Sequence, residues 1–203
     1  MNWVETALVT APPRRWLQRF YETGVLLRFG GRLPPGAHVL EIGCGAGYGA
    51  QLALERFGAA TIDGIDLDPD MIQRASHRLA RYGDRVRLAP GSATDLRDAI
   101  GADDNSYDAV FDFGIIHHIP NWRDAITELV RVLKPGGRFY FEEVTAHALA
   151  RPTYRWLLDH PTEDRFSDQQ FLAELNHHDL AILGSITRIR GDYLLGVAHK
   201  PVP

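Results

Sequence analysis

A single cysteine, Cys44, occurs among 203 residues. No intrachain disulfide can form, and a reducing, cytoplasmic setting is the expectation. Long apolar runs are missing too. Nothing approaches the roughly 18 residues needed to cross a bilayer, and the opening "MNWVETALVTAPPRRW" lacks the basic-then-apolar order of a secretory signal. Basic charge is not in excess: 22 Lys and Arg against 26 Asp and Glu give a formal charge of −4. That removes any global attraction to nucleic acid and leaves room for a local basic patch. Neither HxxxH nor CxxC spacing occurs, so no metal site is expected. Repeats and low-complexity tracts are absent.

What is present suits a packed globular chain. Hydrophobic residues make up 45% and charged residues 24%, enough for a core within one domain. The expected division is a cap helix in 1–36, a core over 37–144, and a segment 145–203 that closes the fold. Short apolar strands alternate with helical patterns. Val39–Ile42, Thr61–Asp66, "RVRLAPG", "YDAVFDF" and "RFYFEEV" read as five strands. Between them, Leu52, Ala53 and Phe57 share one helix face, and so do Met71, Ala75 and Leu79 behind Asp68 and Pro69. "NWRDAITELVRVLKPGG" starts at Asn121, carries Ile126, Leu129, Val130 and Leu133 as its stripe, and stops at Pro135–Gly137. Ser167 and Gln170 form a capping box. "AILGSITRIR" and "YLLGVAHK" read as strands joined at Gly191–Asp192. The expected fold is α/β: a Rossmann-like, doubly wound, mostly parallel seven-stranded sheet, with a C-terminal antiparallel hairpin and helices on both faces.

The first strand runs into "EIGCGAGYGA". Glycines at 43, 45, 47 and 49 allow a tight turn and close approach to a ligand, and the following helix offers unpaired N–H groups to a carboxylate or phosphate. Asp66, at the end of the second strand, can accept both hydroxyls of a ribose. Gly45–Ala50 also satisfies GxGxxA, and a nicotinamide dinucleotide would use an acid in the same place. Taken alone, these two features leave the cofactor open.

The wider set narrows it. Glu41 stands two residues before the first glycine, "PGSATDL" follows the third strand, "FDFGIIHHIPNW" follows the fourth, and "LKPGGRFYFEEV" makes the fifth. In this combination, covering about residues 37–144, the chain resembles the class I S-adenosylmethionine-dependent methyltransferases, in particular the small bacterial group related to quinone-biosynthetic enzymes. The resemblance implies S-adenosylmethionine as cofactor and S-adenosylhomocysteine as product. Glu41, Gly43, Gly45 and Gly47 would line the methionine end, with Cys44 contributing backbone. Asp66 would hold the ribose and Leu67 would pack on the adenine. Ser92 stands where the family often has an aspartate near the adenine amino group, which passes that contact to the Ala93 backbone or to Asp95. Asp112 and Phe113 would lie beside the sulfonium.

Methyl transfer from a sulfonium is an in-line displacement in which positioning and desolvation do much of the work. A general base is needed only when the acceptor keeps its proton. His117 and Glu142 are the candidates for catalysis, with Glu143 next to Glu142 at the same strand end. In an extended chain His117 and His118 would point to opposite sides, which argues against one metal between them. The slot that reads Asn/Asp-Pro-Pro-Tyr/Phe in enzymes acting on amide or nucleobase nitrogens is Asp112-Phe113-Gly114-Ile115 here. A small-molecule or lipid-like acceptor is therefore expected rather than nucleic acid. Trp16, Phe20, Tyr21, Tyr154 and Trp156 could wall an apolar pocket, and "RRWLQRFYE" reads either as a cap helix or as a peripheral membrane contact. A nicotinamide-dependent oxidoreductase and a non-catalytic cofactor-binding protein are the competing readings. The sequence does not set the oligomeric state.

Overall fold

A computed structural model describes residues 12–151 and 164–202. Tyr154 and Trp156 lie outside the described residues. Seven strands form one sheet in the order β3-β2-β1-β4-β5-β7-β6. They are β1 (His38–Ile42), β2 (Thr61–Asp66), β3 (Val86–Pro90), β4 (Tyr107–Phe113), β5 (Leu133–Val144), β6 (Ala181–Arg188) and β7 (Tyr193–His199). The first five pair in parallel, and β7 runs antiparallel between β5 and β6. The order reverses between β1 and β4, which opens a crevice at their C-terminal ends where open α/β sheets bind ligands.

The N-terminal helix consists of α1 (Pro12–Leu17), a π-helical turn (Gln18–Glu22) and α2 (Thr23–Gly30). The others are α3 (Tyr48–Leu52), α4 (Pro69–Leu79), α5 (Leu96–Ile100), α6 (Trp122–Val132), α7 (Ala146–Leu149) and α8 (Asp168–His177). Both faces of the sheet are covered. Leu26 of α2, Ala50 of α3, and Ala75 and Leu79 of α4 pack on one side with Phe57, Phe111 and Tyr140. Leu96, Trp122, Ile126, Leu129, Phe171 and Leu175 pack on the other with Phe139 and Phe141. Among the described residues no helix is long and apolar enough to cross a membrane.

Local signals act largely as read. Asp68 accepts the Asp70 N–H at 2.9 Å, with Pro69 opening α4. Ser167 and Gln170 exchange both bonds of a capping box at 3.1 and 2.9 Å. Three details differ. Asn121 occupies the N-cap of α6, but its amide donates to Asp124 at 2.8 Å instead of accepting from the backbone. "LKPGG" is not a stop ahead of β5 but part of it: Leu133 pairs with Tyr107, the register slips, and Arg138 then pairs with Ala109. The hairpin between β6 and β7 turns through Ile189–Asp192 and not through Gly191–Asp192 alone, because Ile189 and Arg190 both take positive φ.

Candidate active site

The crevice is built outward from the end of β1. Gly43, Gly45 and Gly47 take φ of 62°, 49° and 78°. A Cβ on Gly45 would meet nothing within 4 Å, so the loop backbone there faces open space. Gly49 is the opposite case: a Cβ would fall 1.9 Å from Glu41 Oε1. Only glycine lets α3 start against that carboxylate. Glu41 is buried, one oxygen held by the Ala50 N–H and the other, Oε2, without a partner. Burial pushes its carboxyl well above the usual range, and the nearby Asp66 and Asp112 charges add to this. A buried acid with an unmet oxygen beside an open glycine loop suits an arriving ammonium.

At the end of β2, Asp66 accepts N–H bonds from Gly45 at 2.8 Å and Asp68 at 2.9 Å. A carboxylate has about four lone-pair positions, so acceptor capacity is left for hydroxyl donors. Leu67 beside it is 74% exposed, an apolar surface at the mouth of the crevice. The Cys44 thiol is buried and burial pushes its pKa upward, so this side chain is packing while its N–H binds the Ile65 carbonyl at 2.8 Å. After β3, the Ser92 hydroxyl is 2.7 Å from that of Thr94. Asp95 caps α5 by accepting the Asp98 N–H at 3.0 Å. Ala93, on the same loop, is buried.

The exit of β4 departs most from the sequence reading. Asp112 is buried and accepts N–H bonds from Gly114 at 3.1 Å and Ile115 at 2.9 Å, while its Oδ2 has no partner. Burial raises it well above the ordinary carboxylate range, and the adjacent Glu143 charge raises it further. Phe113 stacks on Phe111 with ring centroids 5.7 Å apart. His117 and His118 are not extended. They lie in a 3-10 turn (Ile116–His118), and their ring centroids approach to 4.2 Å. The expectation that they point apart is corrected: a helical turn, unlike a strand, brings neighbouring rings together. Among the described residues no cluster of three or more metal-ligating side chains forms.

Glu142 and Glu143 divide between the two faces of β5, as consecutive strand residues must. Glu143 turns to the β4 exit. It accepts the Ile116 N–H at 2.7 Å and lies 2.5 Å from His117 Nδ1. Burial disfavours charge on both groups, drawing the His117 pKa down and lifting that of Glu143. Glu142, named with His117 from the sequence, turns the other way and is bound by Arg14, which also holds Glu22 at 2.5 Å. Burial and the Glu142 charge raise Glu22 to about 8. Thus the structure joins Glu143, not Glu142, to His117. Arg14, Glu22 and the specific role of Glu143 are new. Of the three, only Glu143 carried a sequence signal, as half of an acid pair at a strand end.

Trp16, Phe20 and Tyr21 do not wall the crevice. They project outward, and the helix buries Gln18, Glu22, Thr23 and Leu26 instead. The buried face carries the Arg14–Glu22–Glu142 cluster, so it had to be polar, and the aromatic side chains were left to the outside.

Comparison with known proteins follows the same line. The family described as "Methyltransferase domain" matches residues 39–137. The chain is similar to the fatty-acid O-methyltransferase of Mycolicibacterium smegmatis, 36% identical over 59% of this chain and 39% of that one. It is also similar to the demethylmenaquinone methyltransferase of Lactiplantibacillus plantarum, 30% identical over 72% of this chain and 65% of that one. Among solved structures, a SAM dependent methyltransferase from Aquifex aeolicus superposes with a TM-score of 0.73 at 20% identity, covering 98% of each chain. The chain spans less than two thirds of the length of these curated relatives.

Proposed function

Because the chain belongs to the class I S-adenosylmethionine-dependent methyltransferase family, we propose that it transfers a methyl group from that cofactor to a small, apolar or lipid-like acceptor. The observation that carries the reading is the unpartnered buried oxygen of Glu41 behind an open glycine loop. The cofactor supplies an activated methyl group on a sulfonium. Glu41 and the Gly43–Gly47 loop hold the methionine end, Cys44 contributes backbone, and Asp66 takes the ribose hydroxyls. Leu67, Ser92 and Ala93 receive the adenine. Asp112 and Phe113 close the crevice at the β4 exit and exclude water from the reacting centre. Fatty-acid and quinone-type names among the relatives support an apolar acceptor.

His117 is the proton acceptor for acceptors that keep a proton, with Glu143 as the positioning residue that fixes its ring. Glu142 is assigned with Arg14 to anchoring the N-terminal helix over the crevice. The glycine loop and Asp66 would serve a nicotinamide dinucleotide as well, and the family match favours S-adenosylmethionine over it. Isothermal titration of S-adenosylhomocysteine is the test. Asp66→Ala is expected to weaken binding by about 1–3 kcal/mol through lost charge-assisted hydrogen bonds. Binding of NAD without binding of S-adenosylhomocysteine would overturn the proposal.

A further inference from the structure

The N-terminal helix is apolar on the wrong side for a cap. Trp16 is 64% and Phe20 54% exposed, with ring centroids 5.3 Å apart, and Leu17 and Tyr21 are exposed beside them. The π-helical turn keeps these four on one outer face while Gln18 and Glu22 point in. Tyr21 accepts a hydrogen bond from Arg188 Nε at 2.8 Å, which brings the β6–β7 turn alongside. At that turn Ile189 is 61% exposed and holds φ of 50°, a conformation that β-branched residues rarely adopt. The turn therefore presents an isoleucine to solvent at a conformational cost.

The charge around this surface runs against that of the chain. The whole carries −4, yet residues 12–30 contain four arginines and one acid, Glu22, and residues 181–191 contain two arginines and no acid. Glu22 is buried against Arg14. Arg19 is spent on Glu55 at 2.8 Å. Among the described residues Arg15, Arg28, Arg188 and Arg190 enter no ion pair. Among the described residues the result is an aromatic and aliphatic patch with a guanidinium rim. Single exposed apolar residues need no explanation, but a contiguous patch of this kind marks a contact surface. Arginine pairs with phosphate in a fork, and tryptophan favours the layer between headgroups and acyl chains.

We propose that this face docks on a bilayer carrying anionic phosphate headgroups. Trp16, Leu17, Phe20 and Ile189 would enter the interface, and the four arginines would meet the phosphates. Placement ties the surface to the crevice. Arg14 of the same helix binds Glu142 at the C-terminal end of β5, and the Arg15 carbonyl accepts from Tyr48 of α3 at 3.1 Å. The docked face thus borders the acceptor side, so an apolar acceptor can pass from the bilayer without crossing water. This last step rests on the methyl-transfer reading; the docking itself does not.

The test is sedimentation of the full chain with vesicles, read without cofactor. With equal parts phosphatidylglycerol and phosphatidylcholine at low salt the chain is expected in the pellet. With phosphatidylcholine alone, or at high salt, most of it should stay in solution. Trp16→Glu with Phe20→Glu is expected to lower partitioning by about tenfold or more. Arg188→Gln with Arg190→Gln, which leaves the helix untouched, should lower it about severalfold. Circular dichroism and S-adenosylhomocysteine affinity serve as controls, because none of these side chains is placed at the cofactor. Partitioning that is absent, or equal in wild type and both variants, overturns the proposal. So does a wild type that forms dimers dispersed by Phe20→Glu, since a second copy would then be the occupant. Sedimentation without S-adenosylhomocysteine binding would instead overturn the methyl-transfer reading and leave the docking standing.

Discussion

Proton balance at single residues decides how the crevice behaves. Glu41 is held above its ordinary pKa by burial, so the ligand-free carboxyl keeps its proton to a higher pH than an exposed glutamate does. An ammonium placed beside it favours the ionised form, so binding expels that proton. The sign follows: affinity for S-adenosylhomocysteine should rise with pH and level off once Glu41 ionises in the free protein. Glu41→Gln should bind more weakly at high pH and flatten the dependence. Titrations in buffers of different ionisation enthalpy measure the proton released, and wild type should release more than the variant. A second residue-scale expectation concerns His117, whose Nδ1 lies 2.5 Å from the Glu143 carboxyl. On an acceptor that keeps its proton, His117→Ala should lower kcat by about 10²–10⁴ with little change in KM. On a carboxylate acceptor, already ionised, the same substitution should leave kcat near wild type. Steady-state kinetics with one acceptor of each kind separates the cases, and an unchanged kcat on the first rejects the base role.

Packing between elements explains why the polar crevice keeps its shape. Trp122 of α6, Phe166 and Phe171 of α8 are buried together, with the Trp122 ring 4.8 Å from Phe166 and 5.9 Å from Phe171. Phe141 of β5 meets Phe171 at 5.3 Å, one residue before Glu142 and two before Glu143. This aromatic layer therefore backs the strand end that carries both acids. Phe171→Ala should destabilise the fold by about 3–5 kcal/mol, measured as the shift of a urea midpoint at constant slope. The element scale is also where sequence reading succeeded and failed for identifiable reasons. The glycines after β1, Asp68 before Pro69 and the Ser167–Gln170 box act through neighbours a few residues away, so local spacing specified them. The orientation of the N-terminal helix did not follow from local spacing. Trp16, Phe20 and Tyr21 look like a buried stripe, but the inward face is set by Arg14 reaching Glu142, 128 residues distant. Which of Glu142 and Glu143 meets His117 depends in the same way on strand parity and on the 3-10 turn, and neither has a local signature.

At the scale of the whole molecule the crevice lies where the strand order reverses, between β1 and β4. Its floor is shared by residues from four strand ends: Glu41, Asp66, Asp112 and the Glu142–Glu143 pair. Strand alternation and the glycine loop pointed to a doubly wound sheet, because a right-handed crossover in a parallel sheet leaves few topologies; the strand order, and with it the reversal, comes from the structure. Several of these groups carry costs in the folded state. Glu41 Oε2, Asp112 Oδ2 and Glu142 Oε2 are buried without hydrogen-bond partners, and each such group disfavours folding by about 1–3 kcal/mol. A ligand that supplies the missing partner stabilises the folded chain by mass action and leaves the unfolded chain unaffected. At a hundredfold excess over its Kd, S-adenosylhomocysteine should add about 2.7 kcal/mol. For a chain of this length that corresponds to a rise in Tm of about 5–10 °C. NAD at the same concentration should leave Tm unchanged. Scanning calorimetry over a ligand series checks both statements, and a Tm that rises with NAD but not with S-adenosylhomocysteine would assign the crevice to the other cofactor.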